Sequence, residues 1–80
     1  MSDLRVVVID DQTIFREMLA EIVASRPGYR VVGQFHTGRE GLEDTLGLHP
    51  DLVVLDVMLP DMNGIDVLRA LVRRRPSLNV

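Results

Sequence analysis

Arg5-Val6-Val7-Val8-Ile9-Asp10-Asp11 and Asp51-Leu52-Val53-Val54-Leu55-Asp56 are the two stretches that decide the fold of this chain. Each is a short aliphatic run closed by acid, the pattern of a strand buried on both faces of a parallel sheet. Laid side by side, two such strands deliver Asp10, Asp11 and Asp56 to one carboxyl edge, where open α/β sheets place their ligands. Two carboxylates about 4 Å apart repel by roughly 4 kcal/mol at an effective dielectric near 20, and a third adds to it. A divalent cation is therefore expected there. Oxygen-only ligation suits Mg2+, whereas zinc would want His or Cys. His36 and His49 are not placed to serve.

Outward from these strands the period changes. From Thr13, the residues Ile14, Phe15, Met18, Leu19, Ile22 and Val23 share one helical stripe, with Arg16, Glu17, Glu21 and Ala24 facing elsewhere. Ser25-Arg26-Pro27-Gly28 ends this helix, since proline cannot continue it and glycine accepts a left-handed cap. Tyr29 to Phe35 reads as a second strand, in which Gly33 allows close approach of a neighbour. Thr37-Gly38-Arg39-Glu40 fits a capping box, the Thr37 hydroxyl and Glu40 carboxylate satisfying open amides at a helix start. Leu42, Leu46 and Leu48 form that helix's narrow stripe, and Gly38, Gly41 and Gly47 weaken it by about 1 kcal/mol each relative to alanine. It should be the loosest element, ending at His49-Pro50.

After the strand from Asp51 to Leu55, Met58 to Gly64 reads as a loop. Asn63 is a cap for a third helix that carries Ile65, Leu68, Leu71 and Val72 inward and ends at Arg75-Pro76. Arg73-Arg74-Arg75 at its end suits the negative pole of the helix. Leu78-Asn79-Val80 looks like the opening of a fourth strand. Strand and helix alternating in this way specify a doubly wound α/β parallel sheet.

Composition narrows the function classes. Eighty residues, 46% hydrophobic and 26% charged, describe one small globular domain. Folding at this size buries only a little over ~60% of the unfolded surface, so stability is marginal. The absence of cysteine excludes disulfides and thiolate metal sites. Met1-Ser2-Asp3 lacks the basic-then-apolar pattern of a secretory signal, and no apolar stretch approaches the roughly 18 residues needed to span a bilayer. A cytoplasmic location without membrane insertion is expected. A net charge of −3 argues against nucleic-acid binding by this segment. All nine basic residues are arginine, and there is no lysine.

A strand-end carboxylate facing two others has two chemical roles open to it, metal ligand or nucleophile. Asp56, alone on its strand, is the candidate nucleophile, its oxygen attacking a phosphoryl group whose charge the metal neutralises. Any one of the three acids also has a plainer reading as a turn or cap residue, Asp11 as a cap of the first helix. The combination of doublet, single acid and following loop favours the functional reading.

Val7-Val8-Ile9-Asp10-Asp11 and Leu55-Asp56-Val57-Met58-Leu59-Pro60-Asp61-Met62-Asn63-Gly64 resemble the receiver domain of two-component response regulators. The resemblance implies a flavodoxin-like sheet. It also implies that Asp56 accepts a phosphoryl group from a sensor histidine kinase and that Asp10, Asp11 and Asp56 hold Mg2+ with the backbone carbonyl of Met58. Pro60 and Gly64 would shape the loop. Gln12, Arg16, Leu19 and the run Asn63 to Leu68 are most similar to receivers joined to a helix-turn-helix output domain, which implies a DNA-binding transcription regulator as the parent. That output domain is absent from the sequence.

The departures matter as well. The family pattern continues with a Ser or Thr after the fourth strand and a Lys after the fifth, and this sequence supplies neither. Residues 1–80 thus resemble the first two thirds of a receiver of roughly 120 residues, truncated after the start of the fourth strand. Bare apolar surface and an unpaired strand edge would favour a homo-oligomer or a domain-swapped dimer. Haloacid-dehalogenase-like phosphatases share the strand-end Asp and Mg2+, but they carry a second Asp two residues on, where this chain has Met58. The remaining alternative is a structural fragment that folds or self-associates without phosphotransfer. On the leading reading the chain accepts a phosphoryl group and is not an enzyme.

Overall fold

A computed structural model describes residues 3–80. Strand β1 (Leu4–Ile9) leads through helix α1 (Thr13–Ala24) to β2 (Tyr29–Phe35), then through α2 (Gly38–Asp44) and a 3-10 turn (Leu46–Leu48) to β3 (Leu52–Leu55) and α3 (Gly64–Arg74). The strands form one parallel sheet in the order β2-β1-β3, so the chain reverses direction across the sheet at β1. Asn79 bridges Leu52 in parallel, and the Val53 amide donates to the Asn79 carbonyl at 2.8 Å, which sets the opening of a fourth strand beside β3. The doubly wound, flavodoxin-like architecture expected from the sequence is the one observed.

Central placement explains the composition of β1. Val6, Val7, Val8 and Ile9 are each fully buried, because this strand has neighbours on both edges and helices over both faces. Val7 and Ile9 face the larger core with Val53, Leu59, Val67, Leu71 and Leu78. The β1–β3 register runs Val6↔Leu52 to Ile9↔Leu55 without interruption. Between β1 and β2 it shifts after Val6, one extra residue in β2 bringing Gly33 opposite Val7. A Cβ at Gly33 would lie 2.6 Å from the Leu48 side chain, the close approach expected there.

The helices correct the sequence reading in three places. On α1, Ile14, Phe15, Met18 and Ile22 are exposed, Ile14 at 76%. The side toward the sheet is carried by Ala20, with Arg16, Leu19 and Val23 half-buried. Apolar residues cover so much of this helix that periodicity could not say which sector meets the sheet. On α3, Val67 and Leu71 are buried while Ile65 is exposed and Leu68 and Val72 are half-buried. The inward face starts at Gly64, one position earlier than the bulky residues suggested. The capping box of α2 is only half formed. The Thr37 hydroxyl accepts from the Glu40 amide at 3.1 Å, but the Glu40 carboxylate takes the Thr37 hydroxyl at 3.2 Å and His36 Nδ1 at 2.8 Å instead of a backbone amide.

Two of the glycines that weaken α2 also dock it. A Cβ at Gly41 would lie 2.7 Å from Ile9, and one at Gly38 would overlap the Met62 side chain. Both glycines are buried, so the low intrinsic helicity is offset by close packing against β1 and the loop after β3. His49 ends the segment in the left-handed region at φ 51°.

Replacing Leu71, 1% exposed, by alanine should cost roughly 2–5 kcal/mol. For 80 residues that is a large share of a total on the order of 4–12 kcal/mol. Urea denaturation of L71A against the parent chain measures it.

Candidate metal centre

The uninterrupted β1–β3 register has one consequence at its end. Ile9 faces Leu55, so the next residues on each strand, Asp10 and Asp56, leave the sheet side by side, and the Asp56 amide donates to the Ile9 carbonyl at 2.9 Å. Asp11 follows in the bend before α1. One carboxylate oxygen from each of Asp10, Asp11 and Asp56 lies within 4.8 Å of the others. Asp10 is buried at 7% exposure, Asp56 half-buried and Asp11 exposed.

Among the described residues no side-chain cation pairs with this cluster. Among the described residues the ion pairs are His36–Glu40 and Arg39–Glu43, neither of them at the sheet edge. Arg16 reaches the neighbourhood, but its Nη1 donates to the Asp10 backbone carbonyl at 2.9 Å. The Asp10 carboxylate accepts from the Gln12 amide at 2.9 Å, which orders it without neutralising it. Carboxylates brought together and left unpaired are an oxygen donor set for a hard divalent ion. Asp11 does not cap α1: the residue before the helix is Gln12, and no side chain caps it.

The loop after β3 is fixed by several contacts. The Met58 amide donates to Asp56 Oδ1 at 3.2 Å, and Met58 pairs with Asn63 in an isolated antiparallel bridge. Leu59 turns inward and joins the core, while Pro60 is exposed. Asn63 Oδ1 accepts from the Ile65 amide at 2.8 Å, the expected cap. The Gly64 amide donates to the Val57 carbonyl at 2.7 Å. A Cβ on Gly64 would run into the Asp56 carbonyl oxygen and come within 2.8 Å of the Val57 Cα. Glycine is required there because α3 starts directly against the backbone that carries Asp56.

The sequence model for the response regulator receiver domain matches residues 6–80. The chain belongs to this family. It is 42% identical over 74 residues to a protein-glutamate methylesterase/protein-glutamine glutaminase of Symbiobacterium thermophilum, covering 92% of this chain and 20% of that one. It is 37% identical to the chemotaxis protein CheY of Thermotoga maritima, covering 95% of this chain and 62% of CheY. Among solved structures, a two-component response regulator of the LuxR family from Aurantimonas superposes with a TM-score of 0.89 at 31% identity, covering 96% of this chain and 55% of that one. The chain spans about a fifth of the length of the first curated relatives it matches.

Two side chains of this receiver domain escaped the sequence reading. Arg16 seemed to face away from the apolar stripe, yet it holds the carbonyl of a cluster residue. Asp61 gave no local signal at all. Its two oxygens accept from the amides of Gly38 at 2.7 Å and Arg39 at 2.9 Å, the first turn of a helix that precedes it in the chain by more than twenty residues. These two amide bonds, with a smaller contribution from the Arg39 charge, hold the Asp61 carboxyl below its ordinary value of 3.8.

A carboxyl lowered on folding adds stability that is present above its unfolded value and lost as pH falls through the folded one. The stability difference between the parent chain and Asp61→Ala should therefore be constant above about pH 5 and shrink below pH 3.8. Urea midpoints of the two proteins between pH 6 and pH 3 test this, and a difference that widens in acid would contradict it.

Proposed function

We propose that this receiver takes a phosphoryl group onto Asp56 from the phosphohistidine of a sensor histidine kinase, with Mg2+ held by Asp10, Asp11, Asp56 and the Met58 backbone carbonyl. The observation that carries this reading is the convergence of three carboxylates within 4.8 Å at the carboxyl edge, with no side-chain cation paired to them among the described residues. A buried, ordered Asp10 beside a half-buried Asp56 gives one acid the character of a fixed ligand and the other access to a reactant.

In the transfer, an Asp56 carboxylate oxygen attacks phosphorus, the phosphorus–nitrogen bond of the donor imidazole breaks, and its electron pair returns to the ring nitrogen. An acyl phosphate on Asp56 results. When bound, Mg2+ would neutralise charge on the phosphoryl oxygens. Asp10 and Asp11 serve by supplying oxygens to the ion, and the Met58 amide bond to Asp56 Oδ1 leaves the other Asp56 oxygen free to attack. Gly64 keeps α3 close behind that backbone, and Pro60 shapes the exposed side of the loop. The chain is modified once per transfer, so it acts as an acceptor and not as an enzyme.

The parent is proposed to be a DNA-binding transcription regulator acting in the cytoplasm. The resemblance to receivers joined to a helix-turn-helix domain and the likeness to a LuxR-family response regulator support this, while the sequence relatives also include methylesterases and CheY. No described helix is long and apolar enough to cross a membrane. The 80-residue chain is also proposed to self-associate, as a homo-oligomer or a domain-swapped dimer, through the exposed Ile14, Phe15, Met18 and Ile22 of α1. Sedimentation equilibrium at micromolar concentration should give more than the monomer mass, reduced by Met18→Glu. A compact monomer throughout would refute self-association.

Incubation with a small phosphodonor and Mg2+ should add ~80 Da at Asp56. The adduct should be absent from Asp56→Asn and after chelation of the metal. An unmodified parent chain, or an adduct elsewhere, overturns the assignment of Asp56.

A further inference from the structure

We infer that Asp61 is a positioning residue of the phosphoacceptor site: by taking the first free amides of α2, its carboxylate holds the loop after β3, and with it the Met58 carbonyl, in register with the three aspartates. The inference rests on the Mg2+ reading of that site.

The start of α2 needs acceptors for the amides of Gly38, Arg39 and Glu40, which have no intrahelical partner. Thr37 answers only Glu40. The other two are taken by Asp61, one oxygen each, at 2.7 and 2.9 Å. The next residue makes a second contact with the same turn, since the Met62 side chain lies where a Cβ of Gly38 would be. Asp61 and Met62 together fasten the loop to α2 by a charged cap and an apolar seat.

That fastening bears on the site because of what else holds the loop. Its amino-terminal end is fixed at Asp56, through the Met58 amide, and by Leu59 in the core. Its carboxyl-terminal end is fixed by Gly64 against the Asp56 backbone, and the isolated Met58–Asn63 bridge ties the two ends together. Met58 itself is 81% exposed, so its side chain contributes no packing that would hold its carbonyl in place. Among the described residues, Asp61 and Met62 are what fasten the turn between Leu59 and Asn63 to α2. Loss of the carboxylate frees the turn that closes the Met58–Asn63 bridge, and loosening of that bridge lets the Met58 carbonyl drift from the cluster while every ligand atom remains present. Asn at this position keeps one acceptor oxygen but turns an amide donor toward a backbone donor, so it is an intermediate variant and not a silent one.

The test compares the 80-residue chain with Asp61→Ala, Asp61→Asn and Asp66→Ala. Asp66→Ala removes the same charge from the exposed first turn of α3 and serves as the control. Mg2+ titrations followed by amide NMR should show the Mg2+ Kd raised on the order of tenfold in Asp61→Ala, less in Asp61→Asn, and unchanged in Asp66→Ala. The Gly38 and Arg39 amides should lose exchange protection in the same order, and the rate of Asp56 modification should recover when Mg2+ is made saturating. Wild-type Mg2+ affinity in a folded Asp61→Ala that has lost this protection would overturn the inference. So would unfolding of both Asp61 variants, which would give the carboxylate a role in the fold alone. A parent chain that shows no Mg2+ response while folded removes the metal reading first, and the inference with it.

Discussion

Parallel pairing of β1 with β3 forces like charges together, and much of the molecule is arranged around that constraint. Val6 to Ile9 and Leu52 to Leu55 pair in strict register, with Val6 to Ile9 and Val53 buried and Leu52, Val54 and Leu55 half-buried. The same hydrogen-bond ladder that buries these residues also fixes where the chain leaves the sheet, and at that edge both strands continue into aspartate. Hydrophobic burial over the strands sets the geometry. Electrostatic repulsion at their ends is the accompanying cost, and it leaves the edge with an oxygen donor set of the kind that suits a hard cation.

The surrounding elements hold this edge by backbone contacts more than by side-chain ion pairs. Gly64 brings α3 against the Asp56 peptide, Gly41 brings α2 against Ile9, and Gly38 receives Met62. At Gly64 a Cβ would meet backbone, which cannot give way, whereas at Gly41 and Gly38 it would meet side chains that would have to shift. Helix propensity is reduced at these positions, and the packing gained decides the balance. The glycines of α2 accordingly mark a docked helix, although their local effect alone suggested a loose one.

Strand pattern, element order and the three aspartates were legible because they depend on interactions that repeat every two or four residues, or on acids at strand ends. Helix faces were less legible. Ile14, Phe15, Met18 and Ile22 look like a core stripe, yet the sheet meets the sector of Leu19, Ala20 and Val23. Amphipathicity shows that a face exists, but a helix with apolar residues over much of its circumference leaves the choice to its partners. On α3 the buried residues are Gly64, Val67 and Leu71, of which Leu71 alone was legible as an inward position.

What the sequence by itself determined is the set of parallel strands, the acids that end them and the family of folds they specify, since alternation of apolar runs and helical stripes is a property of neighbours along the chain. Only the tertiary structure decided that Asp61 caps a helix begun more than twenty residues earlier, that Arg16 turns to the Asp10 carbonyl, and that Gly64 must be bare. Those contacts join segments remote in the chain, and no local periodicity encodes the distance between two backbones that meet only after folding.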